Sequence, residues 1–273
     1  IRDAIQIHTG HIQVHAKGWE ENQTLEYLME APPELLEILD NDPRVAGYSL
    51  RAEVPGLISR KLLPKQKASK ESPEQPGDPK DPGGKEDNTT FAFLMGVDSE
   101  AEAKITVIPK KIREGEYLSE GDPTGIIIGE TLAESLEVGV GDRVLLWTQD
   151  YYESLQAKFF FVRGIFKTGS MDIDSAAALV PLDTLQSFLS LGENLTSVTI
   201  RVDRPESVRL VAGEISALLD PEVYEVLPWQ EIMPELVQYV TFDNVGAYVF
   251  YGILVIVVAF GISIPSSWPF SRG

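Results

Sequence analysis

The chain contains no cysteine. That excludes disulfides, thiol nucleophiles and Cys-ligated zinc. Histidine is scarce too: His8, His11 and His15 are the only three, all near the N-terminus. A Ser-His-Asp triad would have to recruit one of them. Together they could ligate zinc, but no H-E-x-x-H pattern accompanies them, and the nearest acids downstream are Glu20 and Glu21. They read as surface or packing histidines, and no metal site is expected. Basic residues are few, 23 against 42 acids, for a net charge of −19. A nucleic-acid partner is excluded, because phosphate binding needs a basic surface.

Catalytic patterns are missing as well. No G-x-x-x-x-G-K-[ST] loop and no G-x-S-x-G elbow occurs. Forty-two acids make chance carboxylate pairs inevitable, so no general acid/base pair can be singled out. Asp172 and Asp174 form a D-x-D that lacks the other positions of a calcium loop, and a turn is expected there. No catalytic residue, cofactor or metal ligand is assigned, and the protein is read as a non-enzyme. Ile1–Ala16 holds no apolar signal stretch, so an upstream segment is expected.

One abundance stands against these absences. Val245–Ile264 reads VGAYVFYGILVIVVAFGISI, twenty residues without a charge. A helix of that length spans about 30 Å, the thickness of a bilayer's hydrocarbon core. Residues 242–264 are predicted to be a transmembrane helix, with membrane lipid around it. Arg272 is the only charge after the run, which places residues 1–242 outside the cytoplasm. Trp229, Ile232, Met233, Leu236, Val237 and Val240 recur at helical spacing just before it. They predict a stalk helix, kinked at Pro234, that runs into the span and carries movement to the outer domain.

Residues 64–90 are predicted to be a disordered linker. They hold five prolines, eleven charges and a single apolar side chain, Ala68, too little to offset the entropy of ordering. Before it, His11–Ala16 reads as a strand and Glu34–Leu39 as a short helix. Val45–Val54 and Gly56–Leu62 read as two strands broken at Pro55-Gly56. After it come strands Phe91–Val97, Gly125–Ile128, Arg143–Thr148, Lys158–Phe166, Ala176–Val180, Ser197–Val202 and Val223–Val226. Helices are predicted at Glu130–Leu136, Leu182–Leu189 and Pro205–Leu219. The irregular alternation predicts an α+β fold with mixed sheets.

Several of these segments resemble a known family. Gly10-His11-Ile12-Gln13-Val14-His15 is similar to the strand that follows the first transmembrane helix in lipoprotein-releasing ABC permeases. Gly125–Glu130, Leu132-Ala133 and Val140–Val144 resemble that family's "iiG…LA…L…vGD.v" run. Phe161–Gly169 resembles its "f.v.GifkTG" strand, and Asp174 with Val180-Pro181-Leu182 its "D…vpL". The resemblance implies a MacB-like periplasmic core domain followed by the start of an FtsX-like permease unit. It implies a two-lobed extracytoplasmic domain: a membrane-proximal lobe of 1–63 and 196–241, and an inserted β-rich lobe of 91–195.

The implied function is a non-catalytic permease subunit of an ABC transporter in the bacterial inner membrane. ATP would be bound by a separate cytoplasmic ATPase, and a second permease copy or paralogue would complete the membrane part. The implied cargo is lipoproteins or other amphiphiles. The alternative is an FtsX-like regulatory ectodomain controlling cell-wall hydrolases. The family's first transmembrane helix would precede Ile1, and residues 265–273, PSSWPFSRG, depart from its pattern as an aberrant tail. Both ends are read as truncated. The connection Gln149–Leu155 is short where the family recruits a periplasmic chaperone, and Tyr151 and Tyr152 at its tip are the candidate partner contact.

Overall fold

The computed structural model describes residues 10–22, 24–60, 88–119 and 121–232. The predicted transmembrane span 242–264, the tail 265–273, residues 64–87 of the predicted linker and His8 lie outside the described residues. The chain divides into two compact units, Ile1–Trp229 and Gln230–Gly273. The first unit holds the whole sheet system.

Among the described residues, ten strands form one continuous mixed sheet system. They are β1 (Ile12–Ala16), β2 (Val45–Arg60), β3 (Thr89–Val97), β4 (Ile112–Gly115), β5 (Gly125–Gly129), β6 (Arg143–Gln149), β7 (Leu155–Phe166), β8 (Ala177–Pro181), β9 (Ser197–Val202) and β10 (Tyr224–Pro228). The helices that accompany them are α1 (Trp19–Asn22), α2 (Pro33–Asn41), α3 (Ser99–Ile105), α4 (Glu130–Leu136), α5 (Met171–Ala176), α6 (Leu182–Leu189), α7 (Val208–Leu218) and α8 (Trp229–Ile232). The mixed α/β character agrees with the sequence; the closure of the sheet does not follow from it. Strands β2, β3, β8, β5, β7 and β6 pair in a ring, since β6 bonds both β7 and β2. Two of the six contacts, β3 with β8 and β5 with β7, are parallel.

The predicted break at Pro55-Gly56 is overturned: β2 runs unbroken for 16 residues. Its first part, to Arg51, pairs with β9, and its last part, from Leu57, pairs with β6. Pro55 falls in the gap between those two neighbours. There the strand's open side has no ladder partner, so a missing N–H costs nothing. Gly56 answers a close approach: a Cβ there would stand 3.0 Å from the Trp147 carbonyl oxygen. Strand β3 begins at Thr89, so the last two residues given to the linker by composition are part of the ring.

Alternation sets the core. Val54, Ile58, Ala92, Leu94, Ile126, Ile128, Val144, Leu146, Phe160 and Val162 point into the barrel and are buried, joined by Leu132 and Leu136 of α4 and Leu185 of α6. On the outside of β3, β5 and β8, a second cluster around Met95, Ile127 and Leu179 is covered by Ile108 and Leu118. A third cluster fills the sheet β10-β1-β9-β2, where Leu35 of α2 and Val211 and Ile215 of α7 pack on Ile12, Val14, Val198 and Ile200.

Candidate functional site

Strand β1 lies between β9 and β10, antiparallel to both. Its register puts Ile12 opposite Pro228, and the Trp229 N–H donates to the His11 carbonyl at 3.0 Å. The point where the described chain begins and the point where it leaves the sheet are therefore neighbours across one ladder. Of the predicted stalk positions, Trp229 and Ile232 lie on α8; Trp229 is half-buried against the β1–β9 cluster. Met233, Leu236, Val237 and Val240 lie outside the described residues. No helix among the described residues is long and apolar enough to cross a membrane.

The other two histidines sit on this strand or at its start and are buried. His11 Nδ1 accepts the backbone N–H of Val202 at 3.0 Å. His15 Nδ1 meets the Thr196 carbonyl at 2.8 Å, its Nε2 meets the Gln13 amide at 2.9 Å, and its ring stacks on Trp19. Burial, reinforced by Arg201, holds His11 below the usual histidine range. Burial also lowers His15; the Thr196 carbonyl, Glu53 and Glu225 pull the other way without overcoming it, and Arg51 adds to the lowering. No group of three or more potential metal ligands occurs among the described residues.

Burial favours the neutral form of both histidines in the fold, so as pH falls the unfolded chain binds its protons first, near the ordinary value of 6.5. Their contribution is complete above about pH 6.5 and is lost as pH falls toward the depressed folded values. Glu20, raised by burial and by Glu225 and Glu53, works the other way: the fold takes up its proton before the unfolded chain does as pH falls toward 4.5. The urea midpoint is expected to fall between pH 7.5 and pH 5.5, with a shallower fall in His15→Gln. Equal midpoints at the two pH values would contradict the buried neutral state.

On β2, across β9 from β1, lies a buried charge cluster. Arg51 and Glu102 are both fully buried, joined by Nη2–Oε1 at 2.7 Å and Nε–Oε2 at 3.0 Å, a two-point carboxylate clamp. Glu53 Oε1 stands 3.3 Å from Arg51 Nη1. Burial disfavours the charged guanidinium, but Glu102 and Glu53 outweigh it and raise the Arg51 pKa above its ordinary value. Sequence reasoning misses this cluster. Arg51 alternates with apolar neighbours like a solvent-facing strand residue, and the helix that covers it, α3, is absent from the elements the sequence predicts.

Tyr151 and Tyr152 sit at the tip of the β6–β7 hairpin and are exposed. Their rings meet edge to face at 5.4 Å. Asp150 builds the tip: Oδ1 accepts the N–H groups of Tyr152 and Ser154 at 2.9 Å each, and Oδ2 accepts the Gln156 amide at 2.8 Å. The Tyr151 N–H donates to the Leu189 carbonyl at the end of α6, which ties the tip to the barrel. None of these hydrogen bonds or ring contacts joins the tyrosines to the histidines.

The D-x-D pair divides. Asp174 is buried on α5 and accepts from Thr168 N–H at 2.8 Å, Thr168 Oγ1 at 2.7 Å and Gly169 N–H at 3.0 Å. It is a loop clamp, with its Oδ atoms engaged by donors of the β7–α5 connection. Asp172 remains exposed.

Comparison with known proteins agrees with this geometry. The family model of the MacB-like periplasmic core domain matches residues 16–218. Two curated relatives, each a "Lipoprotein-releasing system transmembrane protein LolC" from Xylella fastidiosa strains Temecula1 and 9a5c, are 27% identical over 145 residues. Those matches cover 50% of this chain and 34% of each relative, so the match reaches about a third of the relatives' length. The crystal structure of the periplasmic region of MacB from Actinobacillus actinomycetemcomitans superposes with a TM-score of 0.51 at 11% identity, covering 86% of this chain and 96% of that one. At that identity it speaks for the fold alone. The matched span takes in the whole barrel, together with β1's last residue and α7, and on that match the chain belongs to the family of MacB-like periplasmic core domains.

Proposed function

We infer that this chain is the extracytoplasmic core of an ABC transporter permease subunit of the bacterial inner membrane, acting in the release or export of lipoproteins or other amphiphiles. The observation that carries the reading is the pairing of Ile12 with Pro228 and of His11 with Trp229. A domain inserted between two membrane helices needs its incoming and outgoing chain side by side, and this ladder supplies that. Family membership supports the same reading, and the LolC relatives favour lipoprotein cargo.

In this scheme a cytoplasmic ATPase binds ATP and moves the membrane helices, and the stalk 229–241 passes that movement to β10 and β1. A second permease copy or paralogue faces this one. The sheet with α2 and α7 serves as the membrane-proximal lobe and the barrel as the inserted lobe. Tyr151 and Tyr152 offer a contact to a periplasmic partner.

The test is lipoprotein release in proteoliposomes. The complete permease and its ATPase, reconstituted with an acylated lipoprotein, are expected to discharge it on ATP addition and to retain it with a non-hydrolysable analogue. ATP turnover without discharge would overturn the cargo assignment. Stimulation of an added cell-wall hydrolase instead would favour a regulatory ectodomain.

A further inference from the structure

Among the described residues, the outer wall of the barrel is covered on one side only. The β3–β8–β5 side carries the cluster under Ile108 and Leu118. The side formed by β6, the second half of β2 and neighbouring parts of β3 and β7 carries exposed apolar side chains. Leu57 of β2 stands opposite both Phe91 of β3 and Trp147 of β6, and Trp147 stands opposite Ala157, two residues from Phe159 on β7. Phe91 is 52% exposed, Leu57 47%, Trp147 39% and Phe159 36%. Alternation gives the reason: Ile58, Ala92, Leu146 and Phe160 take the inward positions and fill the barrel. The outward row crosses four strands, about 14 Å at the usual strand spacing. A contiguous exposed apolar patch of this kind marks a binding surface rather than ordinary solvent-facing strand.

Charge says what it binds. Residues 55–60, 89–97, 143–149 and 155–166 contain no Asp or Glu, in a chain where acids outnumber bases 42 to 23. They contain Arg60, Arg143, Lys158 and Arg163. Arg60 faces Glu137 at 3.5 Å and Arg163 holds Asp122 at 2.6 Å, so these two are engaged. Arg143 makes no ion pair among the described residues; its guanidinium lies over the Phe159 ring, 4.2 Å from the centroid. One face thus sets a cation directly beside a hydrocarbon wall, on a protein that is otherwise acidic. A second copy of the chain fits poorly, because a symmetric pairing of this face would oppose its own cations.

We propose that this wall binds an anionic amphiphile, with its hydrocarbon chain along Phe91, Leu57, Trp147 and Phe159 and its acidic headgroup on Arg143. The proposal rests on the reading of the chain as part of an amphiphile transporter, and it names the face that holds the cargo's lipid part. A carboxylate or phosphate headgroup meets Arg143 by a charge-assisted hydrogen bond, and the chain gains the burial of apolar surface on both partners.

The test uses the full chain in neutral phosphatidylcholine nanodiscs, with doxyl-labelled lauric acid as a quencher of tryptophan fluorescence. The difference between the wild-type chain and Trp147→Phe isolates quenching at this wall. Saturable quenching is expected there, weakened about tenfold by Arg143→Gln. The methyl ester of the same probe should bind the wild type and Arg143→Gln equally. Leu57→Ser should weaken both probes; it alters an exposed side chain, and an unchanged circular dichroism spectrum checks its fold. No quenching at Trp147, or quenching indifferent to Arg143→Gln and Leu57→Ser, would overturn the proposal. So would a response seen only when the nanodiscs are made anionic, which would make the wall a membrane-surface contact. Saturable binding without ATP-driven discharge in proteoliposomes would keep the wall and remove the transport reading.

Discussion

Glu102→Ala is expected to cost roughly 3–5 kcal/mol of stability. The change leaves the Arg51 guanidinium fully buried without its clamp, and Glu53, at 3.3 Å, replaces neither of the lost bonds. At about 2–4 °C per kcal/mol for a domain of this size, the thermal midpoint should drop by about 10 °C. Arg51→Met should lose a comparable amount, because it takes both clamp bonds away from the fully buried Glu102 carboxylate. The double change Arg51→Met with Glu102→Leu is the informative one. It removes the charge and its main partner together, and it should be less destabilised than either single change. Two singles within about 1 kcal/mol of the parent, against the 3–5 expected, would mean that water reaches the cluster.

The second large effect is expected at Asp174. Asp174→Ala orphans the Thr168 N–H and hydroxyl in a buried place and releases the N–H of the exposed Gly169, and should cost about 3 kcal/mol. Asp174→Asn should cost less. One oxygen still accepts from Thr168, but the amide nitrogen then faces the Gly169 N–H, donor against donor. The neighbouring Gly129→Ala supplies an independent check. Its new Cβ would lie 2.3 Å from the Asp174 carbonyl oxygen, and backbone cannot step aside as a side chain can. Chemical denaturation of the three variants should rank the asparagine as mildest. An asparagine as damaging as the alanine would show that the carboxylate acts by charge rather than by its count of acceptors.

Much of the fold was legible because most strands obey a single rule. Gly125–Ile128, Arg143–Thr148, Ser197–Val202 and the helix 182–189 behind Pro181 appear where apolar period and turn residues put them. The failures share one cause: a partner distant in sequence changes what a local signal means. Pro55 breaks a strand only where both sides need hydrogen bonds, and β2 has a vacant side there because β9 stops pairing at Arg51 and β6 starts at Leu57. Arg51 looks solvent-facing until α3 brings Glu102 over it. The ring closes through β6 and β2, a pairing that local periodicity does not contain. The candidate sites fared similarly. The tyrosine tip was visible as two aromatics in a short connection, whereas the apolar wall emerges only when Phe91, Leu57 and Trp147 are aligned by register.

The pairing of Ile12 with Pro228 also dictates an order of assembly. Strand β1 has two neighbours, β9 and β10, and the nearer of them begins at Ser197. The first of the described strands to leave the ribosome must therefore wait until almost the whole domain has been made. The six strands of the ring all fall between Val45 and Pro181, and they can close without it. Long-range pairing is the slow part of folding. Synthesis thus favours a finished barrel first and the seam at β1 last, and any delay beyond Pro181 leaves the apolar Ile12 and Val14 without a partner in the interval.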